Sequence, residues 1–236
     1  MMFKEINKDR AFDEILNQII ENIQNGNLKG GDALPAERAM AEALGVSRPL
    51  VREVLRALEM LGIIKTVRGG ANYIAQDLEN CMVSPLSILL RLNNSGVTHT
   101  QQLRSALERE AALLAARNCT PVDAASLQLI IARLDAAEDE RTRADLDRDL
   151  HIKIGKMADN PMLFSVMSAS AALTENIISG IRDYIMQKKN SHAEVDEQHR
   201  RLVDAIVNHR EEDAVECMAE HMRTIEAYIE EMKTNC

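Results

Sequence analysis

The chain has 236 residues, a formal net charge of -9, 46% apolar and only 3% aromatic residues, and no Trp. That length and apolar content allow one large or two modest domains with buried cores, and the scarcity of aromatic rings argues against a base-stacking platform for single-stranded nucleic acid. Cysteines 81, 119, 217 and 236 form no C-x-x-C pair, no apolar run reaches 18 residues, and the opening MMFKEINKDR has no apolar signal core, so the expectation is a cytoplasmic protein with reduced thiols and no membrane span.

In chain order, a first helix is predicted over 10–25, with Phe12, Ile15, Leu16, Ile19 and Ile20 inward and Gly26 and Gly30-Gly31 marking its exit. Pro35 suits the first turn of a second helix, where its missing N–H has no partner to lose, and Ala39, Met40, Ala43 and Leu44 give that helix an apolar face. Gly45 can take the left-handed conformation that ends it, and Ser47 is placed to cap a third helix starting at Arg48. Val51, Val54, Leu55, Leu58 and Leu61 recur at helical spacing and bury one side of this helix, while Arg48, Arg52 and Arg56, four apart, share the other. Residues Ile63 to Val67 and Ala71 to Ala75 read as short strands joined at Gly69-Gly70, a wing whose tip carries Arg68.

A helix with apolar packing behind and arginines in front meets the requirement for docking in a major groove, where its N-terminal turn faces base edges and phosphates. Residues 1–77 hold 10 Lys/Arg against 11 Asp/Glu, and the remainder holds 18 against 26, so the acidic remainder is expected to stay off DNA. Within residues 45–70, Arg48, Arg52, Arg56, Lys65 and Arg68 oppose only Glu53 and Glu59, a local basic patch that predicts salt-sensitive binding. The pieces PAER, GVSRP, VREVLRALE and RGG resemble the winged helix-turn-helix of the GntR family of bacterial transcription regulators. That resemblance implies DNA contacts from Arg38, Ser47, Arg48, Arg52, Arg68 and Gly69. It departs at Pro49 and Leu50, positions that often carry a hydroxyl in the family and here can donate no side-chain hydrogen bond.

A linker over 77–97 contains a short apolar helix, Pro85 to Leu92, bounded by Asn93-Asn94-Ser95-Gly96, and reads as a hinge. Beyond it every long segment has helical periodicity, with helices predicted over 99–118, 121–138, 143–158, 161–187, 192–208 and 212–233. The fold class expected is mainly α: an N-terminal winged helix-turn-helix with a small β-hairpin wing over 1–76, and an antiparallel all-α bundle over 98–236.

Asp147 and His151 stand at i and i+4, on one helical face, where two ligands can reach one cation. His199 and His221 have their midpoint at 210, in the predicted turn, so on antiparallel helices each lies 11 residues, or about 16 Å, from the turn and the two face each other. Both lie on apolar stripes, His199 with Val195, Leu202 and Ile206, and His221 with Ala214, Met218, Ile225 and Tyr228. Inward imidazoles need partners, and three of them converging with one aspartate point to a metal site of nitrogen and oxygen donors suited to Zn²⁺, Ni²⁺, Mn²⁺ or Fe²⁺. His99, His192 and His209 fall at helix ends or turns and are expected to be solvated.

The pieces LRSALEREAALLAA, DRDLH followed by ADNPML, EQHRRLVDAI and MAEHM resemble the FCD ligand-binding domain of the FadR subfamily. In metal-containing members an Asp and three His hold a divalent cation, and the residues aligned are Asp147, His151, His199 and His221. The resemblance implies a homodimeric regulator of a palindromic operator whose effector is a small organic acid or sugar acid. Arg104 is the residue expected to meet that acid, by two parallel hydrogen bonds to its carboxylate; the competing reading is an i,i+4 surface pair with Glu108. The function expected is a ligand-responsive regulator, a repressor released by its effector, and not an enzyme; the rival is a metal-ion sensor without an organic effector.

Overall fold

The computed structural model describes residues 10–67, 71–76, 81, 83–92, 97–171 and 191–235. The chain divides into two units, Met1–Pro85 and Leu86–Cys236.

The first unit holds α1 (Ala11–Gln24), α2 (Glu37–Leu44), α3 (Arg48–Met60), β1 (Ile64–Thr66) and β2 (Asn72–Ile74). Ile15 and Ile19 of α1, Met40 and Leu44 of α2, and Val51, Val54 and Leu58 of α3 are fully enclosed in one core, Phe12 and Leu16 pack half-buried against it, and Ile20 is half-buried. The buried face of α2 is Met40, Ala41 and Leu44; Ala39 and Ala43, expected inward, are exposed, because they stand one position off that stripe. Gly45 takes φ 67° as the C-cap of α2, as a left-handed turn requires, and the Ser47 Oγ accepts a hydrogen bond from the Leu50 N–H at 3.4 Å to cap α3. Leu61, also expected inward, is 37% exposed, because it is the C-cap and the chain turns away at Gly62.

The wing pairs antiparallel with Ile64 opposite Ile74, Lys65 opposite Tyr73 and Thr66 opposite Asn72, so both isoleucines fall on the core side. A further short piece of chain lies along β2. Ala33 bridges Tyr73, the Gly31 and Leu34 N–H groups donate to the Ile74 and Asn72 carbonyls, and the Ile74 N–H donates to Asp32. This extended backbone is why α2 begins at Glu37, with Ala36 as N-cap, and Pro35 precedes the helix instead of occupying its first turn. The expected tip residues Arg68, Gly69 and Gly70 lie outside the described residues.

In the second unit, after α4 (Val83–Leu92), which crosses the boundary, come α5 (Val97–Asn118), α6 (Pro121–Ala136), α7 (Glu140–Met157), α8 (161–171 as described), α9 (Ser191–Val207) and α10 (Glu211–Asn235). The helix expected over 161–187 is described only to residue 171. Thr120 and Asp123 form a reciprocal capping box at the start of α6 with Pro121 at N1, and Asp139 caps α7, which begins at Glu140, three residues ahead of its expected start. The core joins Ala111, Ala112, Ala115 and Ala116 of α5 with Leu127, Leu150, Ile154, Leu202, Ile206 and Met218. These alanines let neighbouring helices approach α5 closely, and α10 packs along it. The earlier half of α5 buries polar side chains instead, Thr100, Gln101, Arg104 and Glu108, and it is there that the site forms. No helix among the described residues is long and apolar enough to cross a membrane.

Candidate functional site

Three helices bring the four expected ligands together. α7 carries Asp147 and His151 one turn apart, α9 carries His199, and α10 returns after a short turn to set His221 opposite it. One ligand atom from each residue lies within 4.8 Å of all the others. Ring centroids are 4.7 Å apart for His199 and His221, 5.2 Å for His151 and His221, and 5.9 Å for His151 and His199. The imidazoles are buried and Asp147 is half-buried. His199 Nε2 approaches Asp147 Oδ1 to 3.1 Å without hydrogen-bond geometry, and His151 Nε2 stands 4.0 Å from the same oxygen.

These donors fit a divalent cation. Metal–nitrogen bonds near 2.0–2.1 Å put ligand atoms on opposite sides of an ion roughly 4 Å apart, close to the spread observed. Both ring nitrogens of His199 and Nδ1 of His221 are buried without a hydrogen-bond partner, a costly arrangement that a cation would relieve at the one lone-pair nitrogen of a neutral ring. Burial, reinforced by the neighbouring His199 and His151, holds His221 well below the ordinary imidazole range, so it presents the neutral form a metal needs.

His151 is anchored differently, by a residue the sequence reading did not place at the site. Its Nδ1 meets Glu108 Oε2. The other carboxylate oxygen of Glu108 accepts from Arg104 Nε at 3.0 Å and Nη2 at 2.8 Å. Burial opposes charge on Glu108, but His151 and Arg104 outweigh it and hold the carboxyl down to about 2. Burial likewise opposes charge on His151, and Glu108 with Asp147 outweighs it and raises the imidazole above its ordinary value. The Arg104–Glu108 pair therefore exists, but deep in the bundle, with side chains 8% and 2% exposed, and not at the surface. Its only sequence signal was the i,i+4 spacing; the partner that gives it meaning is 43 residues away. Of the remaining histidines, His99 and His209 are exposed, and His209 Nδ1 lies 2.8 Å from the Ala116 carbonyl oxygen; the side chain of His192 lies outside the description.

On the first unit, Ser47, Arg48 and Arg52 are exposed along the start of α3, and Arg38 is exposed on α2. Arg52 is clasped by Glu37 of α2, Nη2 to Oε2 at 2.7 Å and Nε to both oxygens at 3.1 Å, which holds Glu37 below its ordinary value. Arg38 pairs with Glu42 at 2.9 Å. Pro49, Arg52, Glu53 and Arg56 line a shallow open recess on α3. Leu50 is half-buried against the core, so this departure from the family pattern is used for packing.

Residues 100–224 match the FCD domain, and residues 12–74 match the family described as bacterial regulatory proteins, gntR family. The chain is 29% identical over 206 residues to the HTH-type transcriptional regulator LutR of Bacillus subtilis, covering 86% of this chain and 94% of that protein. It is 29% identical over 217 residues to the putative L-lactate dehydrogenase operon regulatory protein of Escherichia coli, covering 90% and 84%. It is 27% identical over 231 residues to the Glc operon transcriptional activator of Escherichia coli, covering 95% and 91%. Among solved structures, Streptococcus agalactiae GntR shares the fold with a TM-score of 0.74 at 21% identity, over 91% of this chain and 98% of that one.

Proposed function

The chain belongs to the GntR family of bacterial transcription regulators, in the branch with an FCD domain and not among enzymes, and on that premise we propose that a small hydroxy acid or sugar acid, held at a divalent metal, sets its affinity for an operator. The observation that carries this reading is the convergence of Asp147, His151, His199 and His221 with buried, unpartnered imidazole nitrogens among them. A six-coordinate ion on four protein ligands would keep two positions for the carboxylate and hydroxyl oxygens of a 2-hydroxy acid. The relative named for an L-lactate dehydrogenase operon supports that chemical class.

In this reading residues 1–76 read DNA, 77–97 link, and 98–236 bind effector and dimerise. Arg38, Ser47, Arg48, Arg52, Arg68 and Gly69 contact the duplex, and Arg104 meets the acid's carboxylate beside the metal. Two readers in a cytoplasmic homodimer engage the halves of a palindromic operator. The effector binds one arrangement of the dimer better than the other and so releases DNA, which makes the protein a repressor.

The test is fluorescence anisotropy of an operator fragment, with protein stripped by chelator or reloaded with Zn²⁺, titrated against hydroxy acids, sugar acids and dicarboxylates. Release by one acid class only in the loaded protein, lost in His199→Ala and Arg104→Ala, is expected. Tighter binding on adding the acid would reverse the sign and make it an activator. One observation favours the rival reading as a metal-ion sensor: the Arg104 guanidinium is already committed to Glu108. DNA binding that follows metal and ignores every acid would establish that rival.

A further inference from the structure

We propose that Glu108 is a positioning residue for the cluster: its carboxylate takes the Nδ1 side of His151 and thereby assigns Nε2 as that residue's metal-binding nitrogen, while Arg104 fixes the carboxylate by its other oxygen. The inference rests on the metal reading above but not on any effector.

The geometry is asymmetric in a way that cluster membership alone does not require. His199 leaves both ring nitrogens without a hydrogen bond, and His221 leaves Nδ1, whereas His151 has Nδ1 engaged by Glu108 and Nε2 turned toward Asp147. An imidazole on a flexible side chain can present either nitrogen, and a carboxylate behind one of them removes that choice. Glu108 can act so only if it is itself held. It comes from α5, a different helix from any ligand, and is 2% exposed; Arg104 one turn earlier bonds its Oε1 through two nitrogens, leaving Oε2 aimed at His151. Arg104 thereby touches the cluster through Glu108 and His151, a connected path by which an acid that recruited this guanidinium would be felt at the metal.

The test uses the full chain, with Zn²⁺ as the probe. Affinity is measured by competition with a chelating dye for the wild type, Glu108→Gln, Glu108→Asp and His199→Ala, and nitrogen NMR of the Zn²⁺-loaded wild type identifies the His151 nitrogen that binds. The expected result is one Zn²⁺ lost in His199→Ala, a loss of about 10- to 100-fold in Glu108→Gln with partial recovery in Glu108→Asp, and coordination through Nε2 with Nδ1 protonated. Unchanged affinity in Glu108→Gln, or coordination through Nδ1, overturns the inference while the metal site stands. Zn²⁺ uptake indifferent to His199→Ala removes the metal reading itself and the inference with it. Should Glu108→Gln not fold, the nitrogen assignment in the wild type decides alone.

Discussion

Gly155→Ala sets two familiar effects against each other beside the cluster. Gly155 lies in α7, one turn beyond His151, and in most helix interiors replacing glycine by alanine stabilises by about 1 kcal/mol. Here an added Cβ would stand 2.5 Å from Met167 Cε, 2.9 Å from Phe164 Cδ2 and 3.3 Å from Met167 Sδ. The thioether end of Met167 can swing aside, but the side chain is 4% exposed and has little room, and the Phe164 ring, 7% exposed, has no such freedom. Overpacking of this kind costs about 1–3 kcal/mol, so the net expectation is a loss of about 1 kcal/mol. In metal-free protein, urea unfolding followed by far-UV circular dichroism should show a lower midpoint for the bundle with an unchanged slope. Because α7 carries both Asp147 and His151, the same substitution should weaken Zn²⁺ binding. Met167→Ala in the Gly155→Ala background should cost less than Met167→Ala alone, a coupling of roughly 0.5–1 kcal/mol. A bundle made more stable by Gly155→Ala would refute the reasoning, since α8 would then be yielding freely.

Saturating Zn²⁺ at a hundredfold over its dissociation constant should stabilise the bundle by about 2.7 kcal/mol in calorimetry, and the gain should vanish in His199→Ala; an equal gain in that variant would dismiss the cluster. Zn²⁺ uptake should weaken as pH falls, because Glu108 and Asp147 raise His151 above its ordinary value and its proton must leave before the nitrogen binds; a flat profile in dye competition between pH 5 and 8 would contradict this. Arg52→Ala should lose about 1–3 kcal/mol of operator affinity with a much smaller loss on random DNA, and equal losses by anisotropy would deny it a base contact. Asp123→Asn should destabilise α6 by about 1 kcal/mol at neutral pH, through its capping box with Thr120 and its pair with Lys153. Since Lys153 and Thr120 lower the Asp123 carboxyl, that stability is present above the ordinary aspartate value and lost as pH falls below it, so wild type and variant should converge in acid.

The cluster was legible because helical period and hairpin symmetry are properties of spacing alone. Asp147 and His151 are one turn apart, and His199 and His221 are equidistant from a turn, so spacing alone makes each pair; that the two pairs meet is a matter of how α7 lies against α9 and α10, which only the resemblance to the FCD domain implied. Glu108 was not legible as part of the site, since its role depends on how α5 lies against α7, a tertiary fact with no trace in local pattern. The same distinction runs through the first unit. Gly45 and Ser47 announced the turn because their backbone and capping chemistry is local. The strand-like run at Ala33 announced nothing, since a few residues beside β2 carry no periodicity, and Pro35 was consequently read as helical.

The clasp between Arg52 and Glu37 bears on how such a protein would find its target in a chromosome. A regulator faces millions of competing sites, and positive charge left unbalanced on its reading helix would hold it on all of them. This reader is nearly neutral as a unit, and one of its principal arginines already has an acidic neighbour to keep. If Arg52 contacts the duplex as proposed, leaving Glu37 would gain little at an arbitrary phosphate and most where a base edge offers two acceptors in return. Encounters with the wrong sequence would therefore be brief, and a small number of molecules could survey the genome without being stranded on it.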